Sequence, residues 1–161
     1  MVATPLSASQ RYFPPGTRAV YWVPAIADIT APTRAELDAG TDLTGEISAM
    51  AGFSVTAATV STPDLKTRFA PDIPGQITAT GSSITLYLSE DSQDVRELMP
   101  RDTAGYVVIL WEGDVAGRDM DVFPVTVTSA PKDITITNAA SITIDFAVTA
   151  EPAENITIPA D

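Results

Sequence analysis

The chain has 161 residues, 45% of them hydrophobic, and carries 21 acidic against 9 basic side chains for a formal net charge of −12. It contains neither cysteine nor histidine, which removes disulfides, thiolate nucleophiles, the usual structural zinc sites and every catalytic triad built on imidazole. So acidic a surface gains no counterion-release affinity for a phosphate backbone and is not expected to grip nucleic acid, and no apolar run approaches the ~20 residues of a membrane-spanning helix.

This length has room for one domain with a proper core, taken here as residues 1–161. The amino terminus has neither a basic start nor an apolar segment, so no secretory signal is expected. The protein is expected to be soluble and to stay inside the producing cell until lysis.

Residues 1–17 read as an arm. Pro14, Pro15 and Gly16 stop regular structure, yet Arg11, Tyr12 and Phe13 include large apolar groups that a free tail does not need. The arm is therefore expected to dock on something. Ala19 to Val23, AVYWV, is a short strand ended by Pro24. Thr33 to Ala39 carries Thr33 and Glu36 at capping-box spacing and stops at Gly40. Asp42 to Gly45 is a turn. Glu46 to Thr62 reads as one long strand, or as two strands bent at Gly52.

Thr62 to Gly75, TPDLKTRFAPDIPG, is punctuated by Pro63, Pro71 and Pro74 and predicts a long loop in which Lys66 and Arg68 flank the aromatic Phe69. Loops of this length in compact domains usually have a function. Ser83 to Ser89 alternates, with Ile84, Leu86 and Leu88 inward and Tyr87 outward. Residues 91–99 switch to helical spacing: Asp91 or Ser92 caps, Val95, Leu98 and Met99 form the stripe, and Pro100 ends it.

Gly105 to Ser129 is the expected central hairpin. Its first arm, Tyr106 to Trp111, is rich in β-branched and aromatic residues and apolar on both faces, so something must cover each of them. The second cover is either a helix of the same chain, with residues 91–99 as the candidate, or a neighbouring subunit. Gly113 and Gly117 supply the turn. Phe123, Val125 and Val127 share one face of the return arm, and Pro124 predicts an edge strand or a bulge. A second hairpin is expected from Asp133 to Thr137 and Ile142 to Thr149, followed by a Pro-bounded tail over residues 150–161.

No motif carries chemistry. Glu112, Asp114, Asp119 and Asp121 cluster at the turn but lack a calcium-loop pattern. No phosphate-cradling or dinucleotide motif is present. The chain is expected to be no enzyme and to have no cofactor and no metal. Unexplained are the arm, the long loop and the doubly apolar hairpin, the features of a subunit completed by its neighbours.

The strings ITAPTRAELDAGTDLTGEI, GFSVT, TPDLKTRFAPDIPG, SSITLYLSEDSQDVRELM, DVFPVTVTS and AEPAENITIPA, in this order over most of the chain, resemble the major tail proteins, or tail tube proteins, of long-tailed siphovirus-type phages of actinobacteria. The resemblance implies a mainly β fold: an antiparallel β-sandwich with one short flanking helix, an extended amino-terminal arm and a long inter-strand loop. It implies hexameric rings, stacked into a tube through which DNA passes without specific binding, within the virion tail after assembly in the host cytoplasm. The implied partners are further copies of the chain and the tape measure, tail terminator and baseplate or tail-tip proteins, with no membrane.

Carried onto this sequence, the implied inter-subunit contacts are Arg11, Tyr12 and Phe13 of the arm and Lys66, Arg68 and Phe69 of the loop. Glu112, Asp119, Asp121 and Asp145 are acidic candidates for the lumen, where carboxylates would repel DNA. Relatives with an extra immunoglobulin-like carboxyl-terminal domain exist, and none is expected here. The alternatives are a single-ring terminator, baseplate or decoration protein and, more distantly, a ligand-binding β-sandwich such as a carbohydrate-binding module.

Overall fold

The computed structural model describes residues 3–90 and 95–160. Among these residues eleven strands and two short α-helices follow in the order β1 (Ala19–Val23), α1 (Arg34–Asp38), β2 (Thr41–Asp42), β3 (Ile47–Ala51), β4 (Val55–Ser61), β5 (Asp72–Ala79), β6 (Ser82–Tyr87), α2 (Val95–Leu98), β7 (Ala104–Leu110), β8 (Asp119–Ser129), β9 (Lys132–Asp133), β10 (Ser141–Val148) and β11 (Ala153–Thr157). Nine strands make one antiparallel sheet in the order β2-β1-β7-β8-β10-β6-β3, with β11 beside β8 and β9 beside β10; β4 and β5 pair only with each other.

The large sheet curls over itself to enclose the first core. Trp22 of β1 stacks on Phe146 of β10 at 6.1 Å between centroids, although β7 and β8 lie between those strands in the sheet. Phe53 closes the space, edge-on to Phe123 at 5.3 Å. Val107, Ile109, Ile84, Leu86, Ile142 and Ile144 fill it.

The central hairpin is β7 and β8, and its first arm is buried on both faces. Val107 and Ile109 belong to the first core, whereas Val108 and Leu110 belong to a second, with Val23, Ile26, Leu37, Met120, Val122 and Ile158. The cover of that second face is α1 together with the carboxyl-terminal segment, not the described part of the expected helix, residues 95–99. Thr33 and Glu36 close the expected capping box on α1, which holds its one turn long enough for Leu37 to pack at 1% exposure. Val95 of α2 and Met99 just after it turn into the first core, and Leu98 stays 36% exposed. The expected caps Asp91 and Ser92 lie outside the described residues. Among the described residues two short helices thus flank the sheet, where the resemblance implied one.

Other expectations change as well. Pro124 sits in a central strand, paired to Tyr106 of β7, rather than at an edge. On its other side β8 pairs with β10 from Val125 onward and with β11 up to Val122. A strand residue's N–H and C=O point the same way, and the Pro124 carbonyl accepts from the Thr149 amide at 3.0 Å. The missing N–H therefore faces the junction between two partner strands, where a ladder bond is not needed.

The expected tail of residues 150–161 contains β11, and Ile158 is 1% exposed. The strand expected from Asp133 to Thr137 shrinks to Lys132–Asp133, because β10 has no residues left to pair beyond Ser141. Ile134 and Ile136 are 78% and 105% exposed. The long loop ends at Pro71, and residues 72–75 open β5. Pro74 is tolerated there because β5 has a partner on one side only.

Gly52 and Phe53 produce the expected bend between β3 and β4, with φ of 80° and 53°. Since β3 pairs with β6 and β4 with β5, the two hairpin halves share one bend. The Ser82 hydroxyl, 3% exposed, accepts from the Phe53 amide at 2.9 Å and holds the turn.

Candidate assembly surfaces

Three surfaces of the subunit present groups that the fold itself does not use. The first is the amino-terminal arm. Residues 3–13 form no helix or strand and are exposed. The arm is rooted by a turn in which the Thr17 and Arg18 amides both donate to the Pro14 carbonyl at 3.1 Å. Beyond the root, the Tyr12 hydroxyl donates to the Trp111 carbonyl at 3.1 Å. The Arg18 guanidinium lies 4.3 Å from the centre of the Trp111 ring, a cation–π contact. The Trp111 Nε1 donates to Asp121 at 2.6 Å, and the other Asp121 oxygen accepts from the Asn155 amide at 2.7 Å. Tyr12 is thus half tied down, while Arg11 stays exposed and Phe13 is 76% exposed.

The second surface is the hairpin of β4 and β5. A two-stranded hairpin is marginal in water without a packed face, and Val60, Ile73 and Ile77 remain about half exposed. The loop at its tip folds on Asp64, which accepts from the Lys66 and Thr67 amides at 2.7 and 2.8 Å. The Thr67 and Lys66 amides hold that carboxyl below its usual value. Thr62 closes the base on the Pro71 carbonyl through its amide at 2.8 Å and its hydroxyl at 2.9 Å. This local scaffold presents Leu65 and Phe69 to solvent, at 109% and 78% exposure. Lys66 and Arg68, exposed as well, stand on the same tip, so the structure brings the three expected loop residues together.

The third surface is the sheet face opposite the first core on β6, β10 and the second half of β8. It carries Ser83, Thr85, Thr126, Thr128, Thr143 and Asp145, because alternate residues of each strand point into the core. The Thr85 and Thr143 hydroxyls are 3.0 Å apart, Thr128 donates to the Asp145 carbonyl at 3.0 Å, and Ser129 donates to the Asp145 carboxylate. No lysine or arginine occurs in β3, β6, β8 or β10.

The four acidic candidates do not gather on one surface. Glu112, Asp119 and Asp121 surround the β7–β8 connection, with Arg118 3.6 Å from Glu112, and Asp121 is taken up by Trp111 and Asn155. Asp145 stands apart, on the hydroxyl-rich face. Along β8 that face alternates out of phase with Asp121, which shares its side with Phe123 and Val125.

An internal cluster that the sequence did not reveal joins α1 to the same connection. Arg34 grips Asp114 with two hydrogen bonds of 2.6 Å and Asp38 with one of 2.8 Å. Tyr21 donates to Asp114 at 2.9 Å. Arg34 holds the Asp114 carboxyl below its usual value, and Tyr21 is pushed up to about 12 by burial and then by Asp114. The only sequence signal was an arginine beside a capping box, which does not name a partner 80 residues away.

Among the described residues no group of histidine, cysteine, aspartate or glutamate side chains is placed to hold a metal ion, and no helix is long and apolar enough to cross a membrane.

A family model described as phage tail tube protein matches residues 8–161. No curated protein matches the sequence. Solved structures share the fold at low identity. The sheath/tube terminator of an extracellular contractile injection system, PVC, is 12% identical with a TM-score of 0.61, covering 89% of this chain and 96% of its own. The tube terminating cap of the anti-feeding prophage is 13% identical with a TM-score of 0.57, covering 94% and 93%. A chain of the native gene transfer agent virion is 12% identical with a TM-score of 0.51, covering 72% and 88%.

Proposed function

Because the chain belongs to the phage tail tube protein family, a structural and non-catalytic class, we propose that it builds the tail tube as hexameric rings stacked along an axis, with DNA passing through the lumen. The β4–β5 hairpin carries this reading. It leaves the body of the subunit with apolar side chains half exposed and Leu65 and Phe69 fully or largely in solvent. A contact from this hairpin to the next ring buries those groups. Arg11, Tyr12 and Phe13 of the arm, with Lys66, Arg68 and Phe69 of the tip, are the residues assigned to that contact.

The hydroxyl-rich face of β6, β10 and late β8 is the surface assigned to the lumen. Hydroxyls and one carboxylate, without a cation on these strands, offer DNA phosphates no counter-charge and no counterion-release affinity. Asp145 is the acidic candidate on this face. Glu112, Asp119 and Asp121 belong to the turn end of the subunit instead. Assembly in the host cytoplasm, contacts with tape measure, terminator and baseplate proteins, and an origin in long-tailed actinobacterial phages complete the proposal; the last rests on the sequence strings given above.

A tube terminator that forms one ring is the second reading, favoured by the TM-scores of 0.61 and 0.57 to a tube terminator and a tube cap. Negative-stain electron microscopy of the purified protein across concentration and salt separates the two. Hollow tubes of sixfold rings are expected; single rings that never stack would move the assignment to the terminator, and monomers throughout would sink both.

A further inference from the structure

We infer that the elbow between the β4–β5 hairpin and the body of the subunit is a socket for the amino-terminal arm of a second copy, with Phe13 of that copy seated in it and Arg11 paired with Glu151. The inference rests on the stacked-ring reading above and names the site that receives the arm.

The hairpin has two unlike faces. Along β5, Ile73, Ile77 and Ala79 alternate with Asp72, Gln76 and Thr78. Across the ladder Val60 lies opposite Ile73 and Val55 opposite Ala79, and residues directly opposite share a side. The apolar side runs down to the base of the hairpin. There Val55, Ile77 and Ala79 meet Val148, Ala150 and Pro152 around a cavity of about 240 Å³. An apolar cavity of about 150 Å³ already takes up benzene, so a phenyl ring fits this one. The one charged residue lining it is Glu151, which is exposed and has no hydrogen-bond or ion-pair partner among the described residues.

The arm offers the complementary pair. Tyr12 is held through its hydroxyl on the Trp111 carbonyl of the same chain. In a segment without helical turns, the residues on either side of it point the opposite way. Phe13 is 76% exposed, and the proline after it favours the extended backbone. Arg11 is exposed and has no partner among the described residues. An aromatic ring and a guanidinium two residues apart thus face away from the subunit that bears them. The elbow supplies an apolar hole and a carboxylate.

Charge selects the arm as the occupant. A subunit with a net charge of −12 repels its copies over most of its surface. Residues 1–27 contain no aspartate or glutamate, and Arg11 is the only charged side chain in residues 1–17. The hairpin tip also exposes an aromatic ring, but it is folded around the Asp64 carboxylate and so brings an acid along with its cations. The arm brings a cation alone to a site whose single charge is Glu151.

The test uses the full chain with a photo-crosslinking aromatic, p-benzoylphenylalanine, in place of Phe13. Irradiation of assembled protein is expected to give dimers and longer covalent oligomers, joined at residues 148–152 or at Val55, Ile77 and Ala79 when mapped by peptide mass spectrometry. Cross-links confined to one chain, or formed with any other surface of a neighbour such as the tip residues 62–71, overturn the inference. Independently, Arg11→Glu and Glu151→Arg are each expected to raise the protein concentration needed for tubes by about fivefold, and the two in one chain to restore it. Phe13→Ser is expected to leave the melting temperature unchanged and to raise that concentration by about tenfold or more, from the apolar burial lost. Normal tubes from all these variants, or a double charge variant no better than the singles, overturn the inference and leave the tube reading standing. A wild type that forms no tubes under any condition overturns both.

Discussion

Replacing Leu37 by alanine tests the claim that a one-turn helix closes the second core. Leu37 is 1% exposed and packs with Val23, Val108, Leu110 and Ile158. The substitution removes three buried carbons. At ~0.8 kcal/mol each the transfer term is about 2.4 kcal/mol, and the cavity left behind brings the total to about 2–5 kcal/mol. For a chain of this size each kcal/mol lowers Tm by roughly 2–4 °C, so a fall of about 4–20 °C is expected. The assay is thermal or urea unfolding followed by circular dichroism, at concentrations where the protein is monomeric. Leu98→Ala is the comparison, because Leu98 in the other helix is 36% exposed and is expected to cost under about 1 kcal/mol. An equal or larger loss at Leu98 would refute the assignment of the second cover to α1.

Asp114→Asn should destabilise by about 1–3 kcal/mol near neutral pH, since Arg34 and Tyr21 both lose their charged acceptor. Arg34 depresses the Asp114 carboxyl in the folded state, so its contribution is present above the unfolded carboxylate value and fades as pH falls through the folded one. Urea midpoints against pH should therefore drop in acid for the wild type and stay flatter for the variant. Tyr21, pushed up to about 12, gives the opposite branch: stability should decline as pH climbs from the ordinary tyrosine value toward 12, a slope that Tyr21→Phe abolishes. Gly52→Ala places a β carbon 2.3 Å from the Gly81 carbonyl oxygen at a φ of +80°; a loss of about 2 kcal/mol or more is expected, and a neutral result would contradict the bend. Leu65→Ser with Phe69→Ser should leave Tm within about 2 °C, both being surface groups, while tubes shorten to single rings in micrographs; normal tubes would remove the tip from the stacking contact.

Where structure depends on neighbours in the chain, it was legible in the sequence. The strand Ala19–Val23, the capping box of Thr33 and Glu36, the bend at Gly52 and the turn glycines Gly113 and Gly117 each rest on local sterics or on a hydrogen bond across a few residues. The doubly apolar arm 106–111 also announced that both faces of the hairpin are buried. Pairing is a different matter, because a strand carries its pattern but not the address of its partner. Tertiary structure decided that Leu37 and Ile158, not Val95 or Met99, cover Val108 and Leu110. It placed Pro124 in mid-sheet, by ending β10 and starting β11 opposite the one residue of β8 that has no N–H to offer. The alternation of residues 133–137 is real, yet β10 runs out of ladder at Ser141. A strand-like sequence therefore remains unpaired in the fold.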